Sequence, residues 1–278
     1  MIPLARLLLI LILPLSLAGA CERLFLPLGE QEAALTRASE TAKPSLLRVA
    51  TCWAGLPLMQ DIAAALQAER PSLSIEIAAA TSAAAAEMLV AGAVDLALLA
   101  DARGASPAGD VIALDALCLI VAAEAPLQEI SLQELAALYG GYRLDWAELG
   151  AGRGAPQVIT YGAETAPAQL FRRAVMGKDE ITTAALVMPH DSAVVEYVVA
   201  HREAIGYVSR AYVDERVRPL RLGDHSPTAT AIRQGRYPLS YRLILQLAPD
   251  ASQEAAQMRA FLSTPQGRKL IEKRYVLP

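Results

Sequence analysis

From residue 46 to residue 100 the chain alternates between short apolar runs of β character and helical runs, and this alternation narrows the possible folds more than any other feature. LLRVAT (46 to 51) reads as a strand, and LPLMQDIAAALQAE (56 to 69) as an amphipathic helix ended by Arg70-Pro71. LSIEIA (73 to 78) is a second strand, SAAAAEMLVAG (82 to 92) a helix stopped by Gly92, and VDLALLA (94 to 100) a buried strand. Strands that alternate with helices build a mostly parallel sheet covered on both faces, so an α/β fold is expected. Ligands of such sheets bind beyond the carboxyl ends of the strands. Those ends are Thr51-Cys52-Trp53, Ala79 to Ser82, and Ala100-Asp101.

A second set of elements follows a long apolar strand around Leu117 to Ala122. SLQELAALYGG (131 to 141) is a helix with Ser131 as N-cap and Glu134 completing a capping box. QVITYG (157 to 162) and AIGYVS (204 to 209) read as strands, SAVVEYVVAHR (192 to 202) as a helix, and LSYRLILQLA (239 to 248) as another long strand. The chain closes helically from about Ser252 through Arg274. Two long strands bracketing a middle βα unit predict two lobes, 46–122 with 235–278 and 123–234, with a cleft between them. In ITYGAETAPAQLFRRA (159 to 174) a strand end, a bend and a helix start with Pro167 in its first turn form the outline of an anion site. Its bend offers only Tyr161, Glu164 and Thr165, and Arg172 and Arg173 lie well down the helix.

The 278 residues carry a net charge of −4, which gives a phosphate backbone no general attraction and argues against nucleic acid. The mean hydropathy of +0.32 comes largely from scattered alanine. Beyond residue 20 no window is long and apolar enough to span a bilayer. Residues 1 to 20 have the form of an export signal: Arg6, then LLLILILPLSLAGA, then Cys21. Ala18, Gly19 and Ala20 satisfy the rule for plain cleavage, whereas LAGAC also has the form of a lipobox, with Ala18 where a large aliphatic residue is usual. Acylation of Cys21 would hang the mature chain from the outer face of a membrane through a polar tether, 21–45. Of the other two cysteines, Cys52 and Cys118, both lie in apolar strand-like runs, as two buried thiols or as one disulfide.

Four further segments, taken in order, resemble the phosphate-type substrate-binding proteins of bacterial ABC importers, which have the type II periplasmic binding protein fold. They are ISLQELAALYGGYRLDWAELGAG (130 to 152), EAIGYVS (203 to 209), GRYPLSYRLIL (235 to 245) and TPQGRKLIEKRYVLP (264 to 278). The resemblance spans the chain from about residue 47 onward and implies a small-molecule ligand, phosphate or another small polar solute, and ABC permease subunits as partners. It identifies scaffold, with Trp146 and Tyr207 as packing residues.

The ligand loops depart from that pattern. Where the family has GSTT this chain has Thr51, Cys52, Trp53 and Ala54, and where it has GSG this chain has Thr81, Ser82 and Ala83. Asp101 fits the place of the family's charged residue after the third strand. In the fourth loop Tyr161 replaces an arginine, and Thr165-Ala166-Pro167 replaces SGT. Loss of one partner of a buried charge pair costs about 2 to 5 kcal/mol, or roughly 30-fold to several thousand-fold in affinity. Thr51, Cys52, Trp53, Ser82, Asp101, Tyr161 and Thr165 are therefore the expected ligand contacts, in a cleft poorly suited to a phosphate dianion.

Three of these residues also have a plainer role: Ser82 and Thr165 as helix N-caps, Asp101 as a turn residue. The spacing of His190, His201 and His225 matches no metal site. Ser82, His190 and Asp191 make an imaginable hydrolytic triad, but no nucleophile elbow surrounds the serine. The expectation is a binding protein without cofactor or catalysis; a sensor or assembly factor with an altered or empty cleft is the alternative, and a hydrolase is the third.

Overall fold

The computed structural model describes residues 45–102, 104 and 108–278. The export signal, Cys21, the tether as far as residue 44, and Arg103 lie outside the described residues. The first βα units form where the alternation places them: β1 (Ser45–Cys52), α1 (Leu56–Glu69), β2 (Leu73–Ala80), α2 (Ser82–Val90) and β3 (Leu96–Asp101). Helix α1 buries Leu58, Met59, Ile62, Ala63 and Leu66, the three-to-four-residue spacing of one apolar face. Gly55 leads into it, and a Cβ there would stand 2.5 Å from Leu98 Cδ2 and 2.7 Å from Thr51 Oγ1, so helix and strand approach only over a glycine.

The chain then runs through β4 (Asp110–Ala122), β5 (Glu129–Ile130), α3 (Leu132–Tyr139), β6 (Gln157–Tyr161) and α4 (Ala166–Phe171). It continues through β7 (Leu186–Met188), α5 (Asp191–Ala200), β8 (Ala204–Ser209), β9 (Val217–Pro219), β10 (Arg221–Leu222) and α6 (Ala229–Arg233). It ends in β11 (Ser240–Leu247), α7 (Gln253–Leu262) and α8 (Pro265–Glu272). The large sheet has the order β2-β1-β3-β11-β4-β8-β6-β7, with β9 also paired to β4. β1 is parallel to β2 and β3, and β6 to β7 and β8, whereas β11 and β4 run antiparallel to their neighbours.

Strand β4 ties the two halves together. Its Asp110 to Ala116 stretch pairs with β11, and from Leu117 onward it pairs with β8 and then β9. All of β11 lies between β3 and the first part of β4. Leu117 N–H donates to Leu239 O at 2.9 Å, so both crossings meet at this point.

The capping box at Ser131 and Glu134 forms, with Ser131 Oγ accepting from Glu134 N at 3.1 Å and Glu134 Oε2 accepting from Ser131 N at 2.9 Å. The expected closing helix divides in two, because Thr264 caps a new start at Pro265. At Gly267 an added Cβ would lie 2.2 Å from Phe261 O, so the corner between the two helices requires a glycine. The helix that follows Thr165 is short, and from Arg172 to Met176 it widens into a π-turn. Trp146 and Tyr207 are buried; Tyr207 stacks on Phe171 with centroids 4.2 Å apart. Cys52 and Cys118 are both buried free thiols. Among the described residues no helix is long and apolar enough to cross a membrane.

Candidate functional site

The carboxyl ends of β1, β2, β3 and β6 meet the starts of α2, α4 and α5 around one cavity, in the position an α/β sheet provides for a ligand. The centre of a water molecule can move in about 30 Å³ of it, room for a couple of waters or one compact solute. Of the residues singled out in the sequence, Cys52, Trp53, Ser82, Tyr161 and Thr165 line this space.

Thr51 and Asp101 lie outside its wall. Successive strand residues face opposite sides, so Cys52 at the end of β1 reaches the cavity while Thr51 is fully buried behind it, its hydroxyl donating to Cys52 O at 3.0 Å. Asp101 stands opposite Arg242 in the β3–β11 register, and Arg242 Nε donates to its carboxylate at 3.1 Å. The pair is buried on the acid's side, and the Arg242 charge is engaged there.

Capping explains much of the hydroxyl chemistry at the rim. Thr81, rather than Ser82, caps α2, accepting from Ala84 N at 3.2 Å. Ser82 Oγ instead accepts from Ala100 N at 3.0 Å and contacts the Cys52 thiol, which burial pushes up to about 12. Thr165 caps α4 and donates to Gly162 O at 2.8 Å. The Tyr161 hydroxyl donates to Tyr207 O at 2.8 Å and also meets the Asp191 carboxyl. Burial raises its pKa, so it stays neutral.

Of the two residues that set the charge of the site, sequence reasoning named Asp191 only as an imaginable triad member and passed over Asp115. Asp191, only 3% exposed, lines the cavity, and its Oδ1 accepts from Ser209 N at 2.7 Å. Behind it Asp115, fully buried, accepts from Ser209 Oγ at 2.6 Å and from Tyr241 OH at 2.5 Å, and Tyr241 lines the cavity as well. Burial pushes the Asp115 carboxyl up to about 6 against the pull of these donors, and burial raises Asp191 too. In the sequence Asp191 stands ahead of a helix as an imaginable triad member; nothing local marks a carboxyl folded inward.

His190 caps α5 through Nδ1, which accepts from Ala193 N at 3.2 Å, and its ring rests against Trp53 across the cavity. Ser82, His190 and Asp191 thus line one cavity, but each is held by a separate backbone partner: Ala100 N, Ala193 N and Ser209 N. The bonds that hold them do not chain serine to imidazole to carboxylate. Among the described residues, no lysine or arginine lines the cavity, and no cluster of His, Cys, Asp or Glu could hold a metal ion.

Comparisons with known proteins agree with this architecture. Residues 36–263 match the PBP superfamily domain. A protein from Clostridium perfringens, assigned as a phosphate ABC transporter substrate-binding protein and solved with bound phosphate, superposes with a TM-score of 0.77 at 21% identity, covering 84% of this chain and 99% of that one. An ABC-type phosphate transport receptor from Vibrio cholerae gives 0.66 at 22% identity, covering 84% of this chain and 100% of that one. The CcmR regulatory domain of Synechocystis PCC6803, in complex with 2-PG, gives 0.57 at 12% identity, covering 78% and 95%. Comparison with curated proteins gives no sequence match. By the extent of the domain match and by its mixed sheet, this chain belongs to the PBP superfamily and has the type II periplasmic binding protein fold.

Proposed function

We propose that this chain is an extracytoplasmic solute-binding protein, anchored through Cys21 on the outer face of a membrane, that delivers a small polar solute to an ABC permease. What supports the reading is the cavity at the strand ends in a fold shared with phosphate-binding proteins. The observation that sets its ligand apart is the wall: Tyr161 and Asp191 are in it, and no described lysine or arginine is. Two unit charges about 4 Å apart interact by roughly 4 kcal/mol at an effective dielectric of 20. A dianion beside an ionised Asp191 would meet repulsion of that order with no described lysine or arginine in the cavity wall to offset it, so phosphate is a poor ligand near neutral pH.

In this reading the bounds of the two expected lobes, 46–122 with 235–278 and 123–234, move to where β4 changes partners beside Leu239, giving 45–116 with 240–278, and 117–239, hinged there. Clefts of this kind exclude water by hinge closure. Titration calorimetry against a panel of small neutral, cationic and anionic solutes, with X-ray scattering of any saturated complex, tests the proposal. Binding with compaction supports it. A protein that binds no solute of any charge would instead be a sensor or assembly factor, the reading that the small cavity and the Trp53–His190 contact favour.

A further inference from the structure

A donor set that a bound oxyanion would use is already occupied by a side chain of the protein. Asp191 is the first residue of α5; its carboxyl accepts from Ser209 N at 2.7 Å and lies beside the Tyr161 hydroxyl, whose own proton goes to Tyr207 O. Negative charge is favoured at the start of a helix, and here the chain supplies that charge itself. The residue lines the cavity and is almost fully buried; burial raises its pKa, while the bond from Ser209 N pulls it back toward the charged form, and water does little to screen that charge. The neighbouring groups do not neutralise it. From β4 comes Asp115, linked through Ser209; from β1, β6 and β11 come Cys52, Tyr161 and Tyr241, each held in its uncharged form by burial. The imidazole of His190, the residue before it, pulls the other way and lowers its pKa.

We propose that Asp191 is the charge-selecting residue of this cleft, standing where an oxyanion would stand and restricting binding to solutes with no net negative charge. The inference rests on the reading that the cleft binds a solute. The carboxyl acts by occupancy and by repulsion, and the Asp191→Asn variant separates it from the bare fold. The amide oxygen of that variant keeps the bond from Ser209 N, the volume is unchanged, and the new amide N–H group adds a donor facing Tyr161 or the cavity.

The test follows the fluorescence of Trp53, which stands in the cavity wall, while inorganic phosphate and then sulfate are titrated into the unmodified protein, Asp191→Asn and Asp191→Ser at fixed ionic strength and neutral pH. The serine variant removes the charge with a smaller side chain and carries the test if the asparagine variant does not fold. A neutral and a cationic solute panel is run on the same three proteins. The expected result is that anion affinity rises at least tenfold in a neutral variant and by a larger factor than the affinity for any neutral solute. Phosphate binding by the unmodified protein as tight as in the variants overturns the role of Asp191 and leaves solute binding standing. Absence of binding by any solute to any of the three proteins overturns both.

Discussion

The indole of Trp53 lies against the imidazole of His190, ring centroids 4.6 Å apart and planes tilted by 39°. Trp53 follows β1 and His190 caps α5, so the contact joins the ends of two elements far apart in sequence across the mouth of the cavity. The imidazole therefore has two roles, cap and packing partner. His190→Asn keeps an N-cap acceptor and loses the ring; His190→Ala loses both. Thermal denaturation should rank the alanine variant below the asparagine one by about 1 kcal/mol, the usual worth of a cap. Equal stability of the two would mean that the bond from Ala193 N contributes nothing.

By its resemblance the fourth loop implies an arginine at the place of Tyr161, whose hydroxyl here donates to Tyr207 O beside the Asp191 carboxyl. Tyr161→Arg should strengthen phosphate binding through a charge-assisted donor, yet the new guanidinium would face Asp191 and be partly neutralised by it. Calorimetry should therefore show a modest gain in the single variant and a larger one in Tyr161→Arg combined with Asp191→Asn. Submicromolar phosphate binding by the unmodified protein would refute this account of the loop.

Asp115 gives the fold a pH dependence of known sign. Its carboxyl, raised from 3.8 to about 6 by burial, binds its proton more tightly in the folded state. Stability from this group is complete below the unfolded value and is lost as pH rises through about 6. Two pKa units correspond to about 3 kcal/mol. Asp115→Asn, whose amide can donate to the Ser209 and Tyr241 hydroxyls, should gain stability relative to the unmodified protein between pH 4 and pH 7, by an amount of that order. Chemical denaturation across this range checks it, and a difference that stays constant with pH removes Asp115 as the source.

Both remaining thiols are buried, and burial raises their pKa values, Cys52 to about 12 and Cys118 further. Thiolate is the reactive form. Iodoacetamide should therefore label neither cysteine in the folded protein at neutral pH and both after denaturation, as peptide mass analysis would show. Rapid native labelling of Cys52 would mean that the cleft opens readily in solution.

Acylation of Cys21 should make the mature protein partition with membranes, and Cys21→Ser should release it or stall its processing. Each buried methylene of a lipid chain adds about 0.8 kcal/mol, so several chains hold firmly. Soluble mature protein beginning at an unmodified Cys21 would exclude the anchor.

The sequence determined what is local. The helix at 56–69, the strand at 204–209 and the capping box at Ser131 follow from side-chain spacing and from hydrogen bonds that reach only a few residues, so a linear reading finds them. Family-like segments likewise marked the scaffold, including the buried Trp146 and Tyr207. Tertiary structure decided the charge and the walls of the cavity. Asp101 met Arg242 through a pairing 141 residues apart, and Asp115 met Ser209 at a separation of 94. Strand alternation turned Cys52 inward and Thr51 away, and the start of α5 put Asp191 on the donors of β8. A carboxylate's role depends on which distant donors and acids surround it once water is removed, and that environment exists only after β1, β4, β8 and α5 have assembled.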